Sequence, residues 1–357
     1  MRRALVLLLL TSHLTLLTSC LPGSQRQQTR GVTTADSLSM EVAAAVPVDT
    51  LALVRRITPP DEPELAYPMT LAFSADGGEV HVLDLEDGDL ASFDVRTGDR
   101  TRVVTPDAFA FPLLAGQRGD TLAVLDRQDT RLHFVHEGQV VRTLDLPEAG
   151  SAMALVTDST IVLKSVDQDA GTEDEATGTF VAVLDDNGAE RARYVLGGPW
   201  WRHIGYVRPW GDDVLSLSGY RPVVDVLTPT STPNAPLDTL SLVGFDSPLL
   251  NTTLRFIRGE VREPPLLTAA ARALGDTLYV LNLRPGVLRI DAYTKEARHE
   301  ARLQRAYELQ VVPAEQDPLA LFPTDLDVHR APDGRLTFAV LLKGPEVSVL
   351  LLQERAD

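Results

Sequence analysis

Gly119-Asp120-Thr121-Leu122-Ala123-Val124-Leu125 is a tight turn running straight into a strand with no polar face. Glycine and aspartate tolerate the backbone angles of a short hairpin turn. An unbroken apolar run of strand length belongs to a strand buried on both sides. The same phrase returns along the chain as Asp76-Gly77-Gly78-Glu79-Val80-His81-Val82-Leu83, Asp158-Ser159-Thr160-Ile161-Val162-Leu163 and Gly211-Asp212-Asp213-Val214-Leu215-Ser216-Leu217. It closes with Gly275-Asp276-Thr277-Leu278-Tyr279-Val280-Leu281 and Asp333-Gly334-Arg335-Leu336-Thr337-Phe338-Ala339-Val340. A third strand follows most of these after another turn, as in Leu90–Val95, Arg131–Val135, Phe180–Leu184 and Val287–Ile290. A fourth, such as Val140–Leu146, alternates apolar and polar residues, the mark of a half-exposed outer strand.

Six such units, spaced by about 40 to 64 residues, predict an all-β fold: a six-bladed β-propeller of four-stranded antiparallel blades. The longer spacings predict inserted loops near 167–178, 228–238 and 244–265. The last unit ends after Val347–Leu352 and lacks an outer strand, whereas Thr50–Ile57 stands spare ahead of the first. Pairing the two closes the ring and removes an open sheet edge. The alternatives are a pair of β-sandwiches, or a seven-bladed ring with one blade within 228–262. Tyr67-Pro68-Met69-Thr70-Leu71-Ala72-Phe73-Ser74-Ala75-Asp76-Gly77 and Phe322-Pro323-Thr324-Asp325-Leu326-Asp327-Val328 read as opening strands. In these the chain resembles six-bladed propeller lipoproteins and, more loosely, the NHL-repeat-like and TolB-like six-bladed propellers. The resemblance covers residues 48–357 and is architectural.

Ahead of the propeller, Met1-Arg2-Arg3 is a basic start and residues 4–17 are apolar. This segment is too short to span a bilayer, which takes about 20 residues, and has the form of a secretory leader. It ends Leu17-Thr18-Ser19-Cys20, which resembles the lipobox of bacterial lipoproteins. The resemblance implies cleavage after residue 19, a diacylglycerol on the Cys20 thiol and an acylated new amino terminus. Several acyl chains on one residue give lasting attachment, at about 0.8 kcal/mol per buried methylene. Residues 20–46 then read as the lipidated cysteine and a flexible polar tether, with the propeller domain at 47–357. No acidic run follows the cysteine, which favours the periplasmic side of the outer membrane. The expected location is the cell envelope.

Composition narrows the chemistry. The 357 residues carry 50 Asp+Glu against 33 Lys+Arg, a net charge of -17, which excludes nucleic acid as a partner. One cysteine excludes an internal disulfide or a cysteine-built metal site. No Gly-x-Ser-x-Gly elbow, phosphate loop, dinucleotide fingerprint or HExxH stands in the sequence, so no catalytic residue is assigned.

Three groups of residues remain as site candidates. Asp325 and Asp327, two apart on an opening strand, face the same way and are candidates for a metal at the channel. Asp167 and Asp169 begin a stretch that starts like a calcium loop, although the later ligands and the glycine fall out of register. Calcium is the cation these donors would suit; no other cofactor is expected beyond the lipid. Third, Trp200, Trp201, Arg202, His203 and Trp210, with Tyr206 and Arg208, concentrate all three tryptophans of the chain in one short segment. Aromatics with arginine suit a binding surface; packing between blades three and four is the other reading. The functional expectation is a membrane-anchored lipoprotein whose propeller binds a protein, peptide or glycan without catalysis. The alternative is a metal-dependent hydrolase or lyase of the lactonase-like propeller type.

Overall fold

The computed structural model describes residues 37–59, 65–104, 109–150, 152–157, 160–166, 179–197, 200–229, 238–284, 286–297, 299–310, 322–343 and 347–355. Strands dominate, and they group as the repeats predict. Pro68–Phe73, Pro112–Arg118, Ala152–Thr157, Val207–Trp210, Thr268–Leu274 and Phe322–Arg330 each begin a run of antiparallel neighbours. Each of these first strands lies against the first strands of the adjoining units, and the sixth lies against the first. The result is a closed ring, a β-propeller, with the first strands innermost around a central channel.

The second strands show why their sequence has no polar face. In Thr121–Asp126 of blade two, Leu122 and Val124 enter the core shared with blade one, while Ala123 and Leu125 enter the core shared with blade three. In Thr160–Ser165 of blade three, Ile161 and Leu163 face blade two and Val162 faces blade four. Period-two geometry thus sends an uninterrupted apolar run into two different hydrophobic cores. Each fully buried Leu, Ile or Val contributes about 1.5–3 kcal/mol by leaving water.

Val48–Ile57 pairs antiparallel with Ser348–Glu354, with Leu51 opposite Glu354 and Ile57 opposite Val349, and so completes blade six. The same strand also pairs in parallel with the long outer strand of blade five, Glu300–Gln310, from Val48 opposite Ala306 to Thr50 opposite Glu308. Nearer its start, on the same free edge, that outer strand also pairs in parallel with Asp238–Val243 of blade four, Glu300 lying opposite Ser241 and Arg302 opposite Val243. Blades four, five and six are therefore joined through their rims into one twelve-stranded sheet.

One part of the sequence reading is corrected, and one of its alternatives is set aside. Residues at the end of the expected tether form a helix, α1 (Ser37–Ala45), rather than flexible chain. Val42 buries against the rim of blade four, a γ-carbon lying 2.7 Å from where a β-carbon on Gly244 would stand, and Ser39 Oγ accepts the Gly244 N–H at 2.7 Å. The run Ala43-Ala44-Ala45 favours helix, and glycine at position 244 leaves room for the docking. The described part of 228–262 holds no further blade: it contains the outer strand Asp238–Val243 and a second helix, α2 (Leu250–Ile257). The leader, Cys20, Asp167 and Asp169 lie outside the described residues.

Candidate functional site

An inner strand at a channel has one edge without a ladder partner, so its N–H groups need acceptors. Blade six supplies them to blade one. Asp325 Oδ2 accepts the Leu71 N–H at 3.0 Å, and Asp327 Oδ2 accepts the Phe73 N–H at 2.8 Å. One blade further on, Thr70 Oγ1 accepts the Leu114 N–H at 3.1 Å. The two aspartates do face the same way, toward a strand edge.

Two arginines balance them. Arg272, on the inner strand of blade five, donates to the Leu71 carbonyl at 3.0 Å and lies 3.5 Å from Asp325 and 3.2 Å from Asp327. Arg208, on the inner strand of blade four, sits 3.6 Å from Asp325 and stacks 4.5 Å from the centre of the Tyr206 ring. Burial pushes both carboxyls above their ordinary range, and the Arg272 guanidinium opposes that shift. Burial, aided by the Asp325 charge, likewise raises the Tyr206 hydroxyl. Two carboxylates and two guanidiniums thus bind four blades together across the channel. Arg272 was not singled out from the sequence; its signal is an arginine directly after the small residues Thr268-Ala269-Ala270-Ala271 in an inner strand.

Above this network the channel widens into a cavity of about 350 Å³ where the inner strands begin. Met69, Leu113, Tyr206, Ala269 and Pro323 line it from five blades, and Leu85, Arg127 and Val166 come from turns that follow second strands. Its wall is mainly apolar. Those turns are held by a repeated device: Asp84 accepts the N–H groups of Tyr67, Glu86 and Asp87 at 2.6, 2.8 and 3.0 Å. Asp126 does the same for Ala110, Gln128 and Asp129 at 2.7, 3.1 and 3.2 Å. Leu85, Arg127 and Val166 also border a second cavity of about 490 Å³ beside Phe111. Phe111 is half exposed and adopts a φ of 59°, a left-handed conformation that costs about 1–2 kcal/mol for a residue with a β-carbon.

The tryptophan-rich segment does not form one surface. Trp201 is buried and meets Phe256 of α2 edge-on at 5.4 Å. Trp210 packs half-buried against the core between blades four and five. Trp200 meets Tyr220 edge-on at 6.3 Å. His203 is buried with Nε2 2.9 Å from the Gly197 carbonyl, and desolvation pushes its pKa down to about 4. Tyr206 and Arg208 turn into the channel. Among the described residues no three His, Cys, Asp or Glu side chains converge as metal ligands would.

No protein-family model matches the chain, and no curated protein sequence matches it. Among solved structures it is similar to virginiamycin B lyase from Staphylococcus aureus, with a TM-score of 0.52 at 9% identity, over 85% of this chain and 100% of that one. It is equally similar to the WD40 repeats of RRP9, with a TM-score of 0.52 at 12% identity, over 85% and 98% of the two chains. Likeness at this level of identity establishes the β-propeller fold alone.

Proposed function

We propose that this chain is a non-catalytic, membrane-anchored envelope protein that binds an apolar peptide segment of a protein partner at the channel mouth. The observation that supports this reading is the mouth cavity itself. It is built by five blades, its wall is mainly apolar, and its volume falls in the range of about 300–1,000 Å³ typical of ligand sites. The channel carboxylates beneath it already hold backbone N–H groups and arginines, so they serve the ring. A glycan would ask for more polar groups than this wall offers, which favours a peptide. The leader and Cys20 support the envelope anchor.

The test is selection of a displayed peptide library on the full chain in detergent micelles, with Met69→Arg as counter-selection, since an arginine there fills the mouth. Enrichment of apolar peptides that bind the parent chain and lose binding to Met69→Arg is the expected result. Peptides that bind both forms equally, or no enrichment, refute the reading.

A further inference from the structure

Between blades three and four, three elements bring basic side chains around a single carboxylate. Lys164 comes from the second strand of blade three and is fully buried, its Nζ donating to the carbonyls of Gly205 at 3.2 Å and Leu217 at 3.5 Å. Arg202 and His203 come from the short 3-10 turn Trp200–Arg202 and the residue after it. Arg221 comes from the loop before the third strand of blade four, Val223–Leu227, and only 2% of it is exposed. The carboxylate is Asp225, on that third strand, where its Oδ1 already accepts the Thr239 hydroxyl at 2.6 Å.

The donors outnumber their acceptors. Among the described residues, Arg221 Nε and Nη1, Arg202 Nε and His203 Nδ1 are all buried without a hydrogen-bond partner. Neither arginine comes within 4.0 Å of a carboxylate among the described residues, although both feel the charge of Asp225. A buried charge with unmet hydrogen bonds is costly, by several kcal/mol per ion. Guanidinium groups are held in such places when a planar or tetrahedral oxyanion completes them. Burial pushes Arg221 down to about 10, which marks how little compensates it as it stands. His203 faces the Gly197 carbonyl through Nε2, so Nδ1 is the position at which it takes a proton when an anion arrives.

We propose that this inter-blade cluster binds a compact oxyanion of the phosphate class, held by the guanidiniums of Arg202 and Arg221, with His203 donating from Nδ1 once protonated. Arg202, the least buried member, is the entrance; Arg221 is the floor. Asp225 anchors the arginines at a distance and leaves their free N–H groups for the ligand. The site is separate from the channel mouth, behind the wall formed by Gly205 and Leu217.

The experiment uses the full chain in detergent micelles, in chloride buffer free of phosphate and sulfate. Inorganic phosphate and glycerol phosphate are titrated in separate arms by calorimetry and thermal melting, against chloride at matched ionic strength. The expected result is one saturable site for inorganic phosphate with a rise in Tm beyond that of chloride. Arg221→Gln and Arg202→Gln should each weaken binding by about tenfold or more, the loss of one charged hydrogen-bonding partner. Arg202→Gln, at the surface end, keeps the test open if Arg221→Gln does not fold. Arg221→Met should melt higher than the parent in phosphate-free buffer and show no phosphate response. Met69→Arg must keep the full phosphate response, which separates this site from the mouth. Binding of glycerol phosphate as well would identify the natural ligand as a phosphomonoester, such as a headgroup; binding of phosphate alone would identify the free anion. The proposal is overturned if phosphate raises Tm no more than chloride does, or if Arg202→Gln binds phosphate as the parent does.

Discussion

Replacing Lys164 by methionine isolates the electrostatic cost of the buried cluster. In the unfolded chain this ammonium loses its proton near 10.5, and in the folded protein desolvation brings that down to about 7, with the Asp225 charge opposing the shift. Between those two values the unfolded chain holds more protons than the folded one, so stability climbs as pH rises from about 7 to 10.5. Below pH 7 both states are protonated and the whole penalty is present. At about 1.36 kcal/mol per pH unit, a gap of about 3.5 units amounts to about 5 kcal/mol. Lys164→Met removes this and leaves the Gly205 and Leu217 carbonyls without their donor, a cost of about 1–3 kcal/mol each that does not vary with pH. The assay is urea unfolding followed by tryptophan fluorescence at intervals from pH 6 to 10.5, in phosphate-free buffer. Subtracting the variant from the parent cancels the buried tyrosines, which titrate identically in both. The difference should be flat below pH 7 and then move in favour of the parent as pH rises. Parallel curves across the whole range would show that Lys164 keeps an ordinary proton affinity in the fold and would refute the reasoning.

Two further outcomes follow from the geometry. Asp325→Asn leaves Arg208 facing an uncharged group and Arg272 with Asp327 alone, and should destabilise by about 3–5 kcal/mol, as breaking a buried pair does; in an Arg272→Met background the same change should cost clearly less, read by a double-mutant cycle of unfolding free energies. If Cys20 carries the proposed lipid anchor, Cys20→Ser should release the protein from the membrane fraction of expressing cells and abolish labelling by a radioactive fatty acid.

The propeller is legible in the sequence because its decisive signal is local. A turn such as Gly119-Asp120 and the apolar run behind it lie within a few residues of each other, and the repeat multiplies the signal along the chain. Ring closure was legible for the same reason: a strand missing at Val347–Leu352 matches one spare at Thr50–Ile57. What escaped depends on contacts between residues distant in sequence. The helix at Ser37–Ala45 is set by a glycine two hundred residues away, and the parallel pairings of Glu300–Gln310 leave no trace in alternation, since a rim strand reads the same with or without a partner. At the site, Asp325 and Asp327 stood out as a spaced pair, but that Leu71, Phe73 and Arg272 use up their oxygens is a fact of the ring. The tryptophan segment drew notice by composition; its residues point three ways because a turn, a channel strand and a blade core follow one another within it. Lys164 and Arg221 sit singly in apolar or loop sequence, and only the meeting of two blades gathers them.

The double pairing of Val48–Ile57 bears on how the molecule carries load. Force that passes the docked helix α1 enters the ring along this strand. Ser348–Glu354 holds residues 51–57 of it, and Glu300–Gln310 holds residues 48–50. A pull along the strand axis must shear both ladders together, so the hydrogen bonds share the force instead of opening one after another. The seam that closes the ring is thus held by two ladders rather than one.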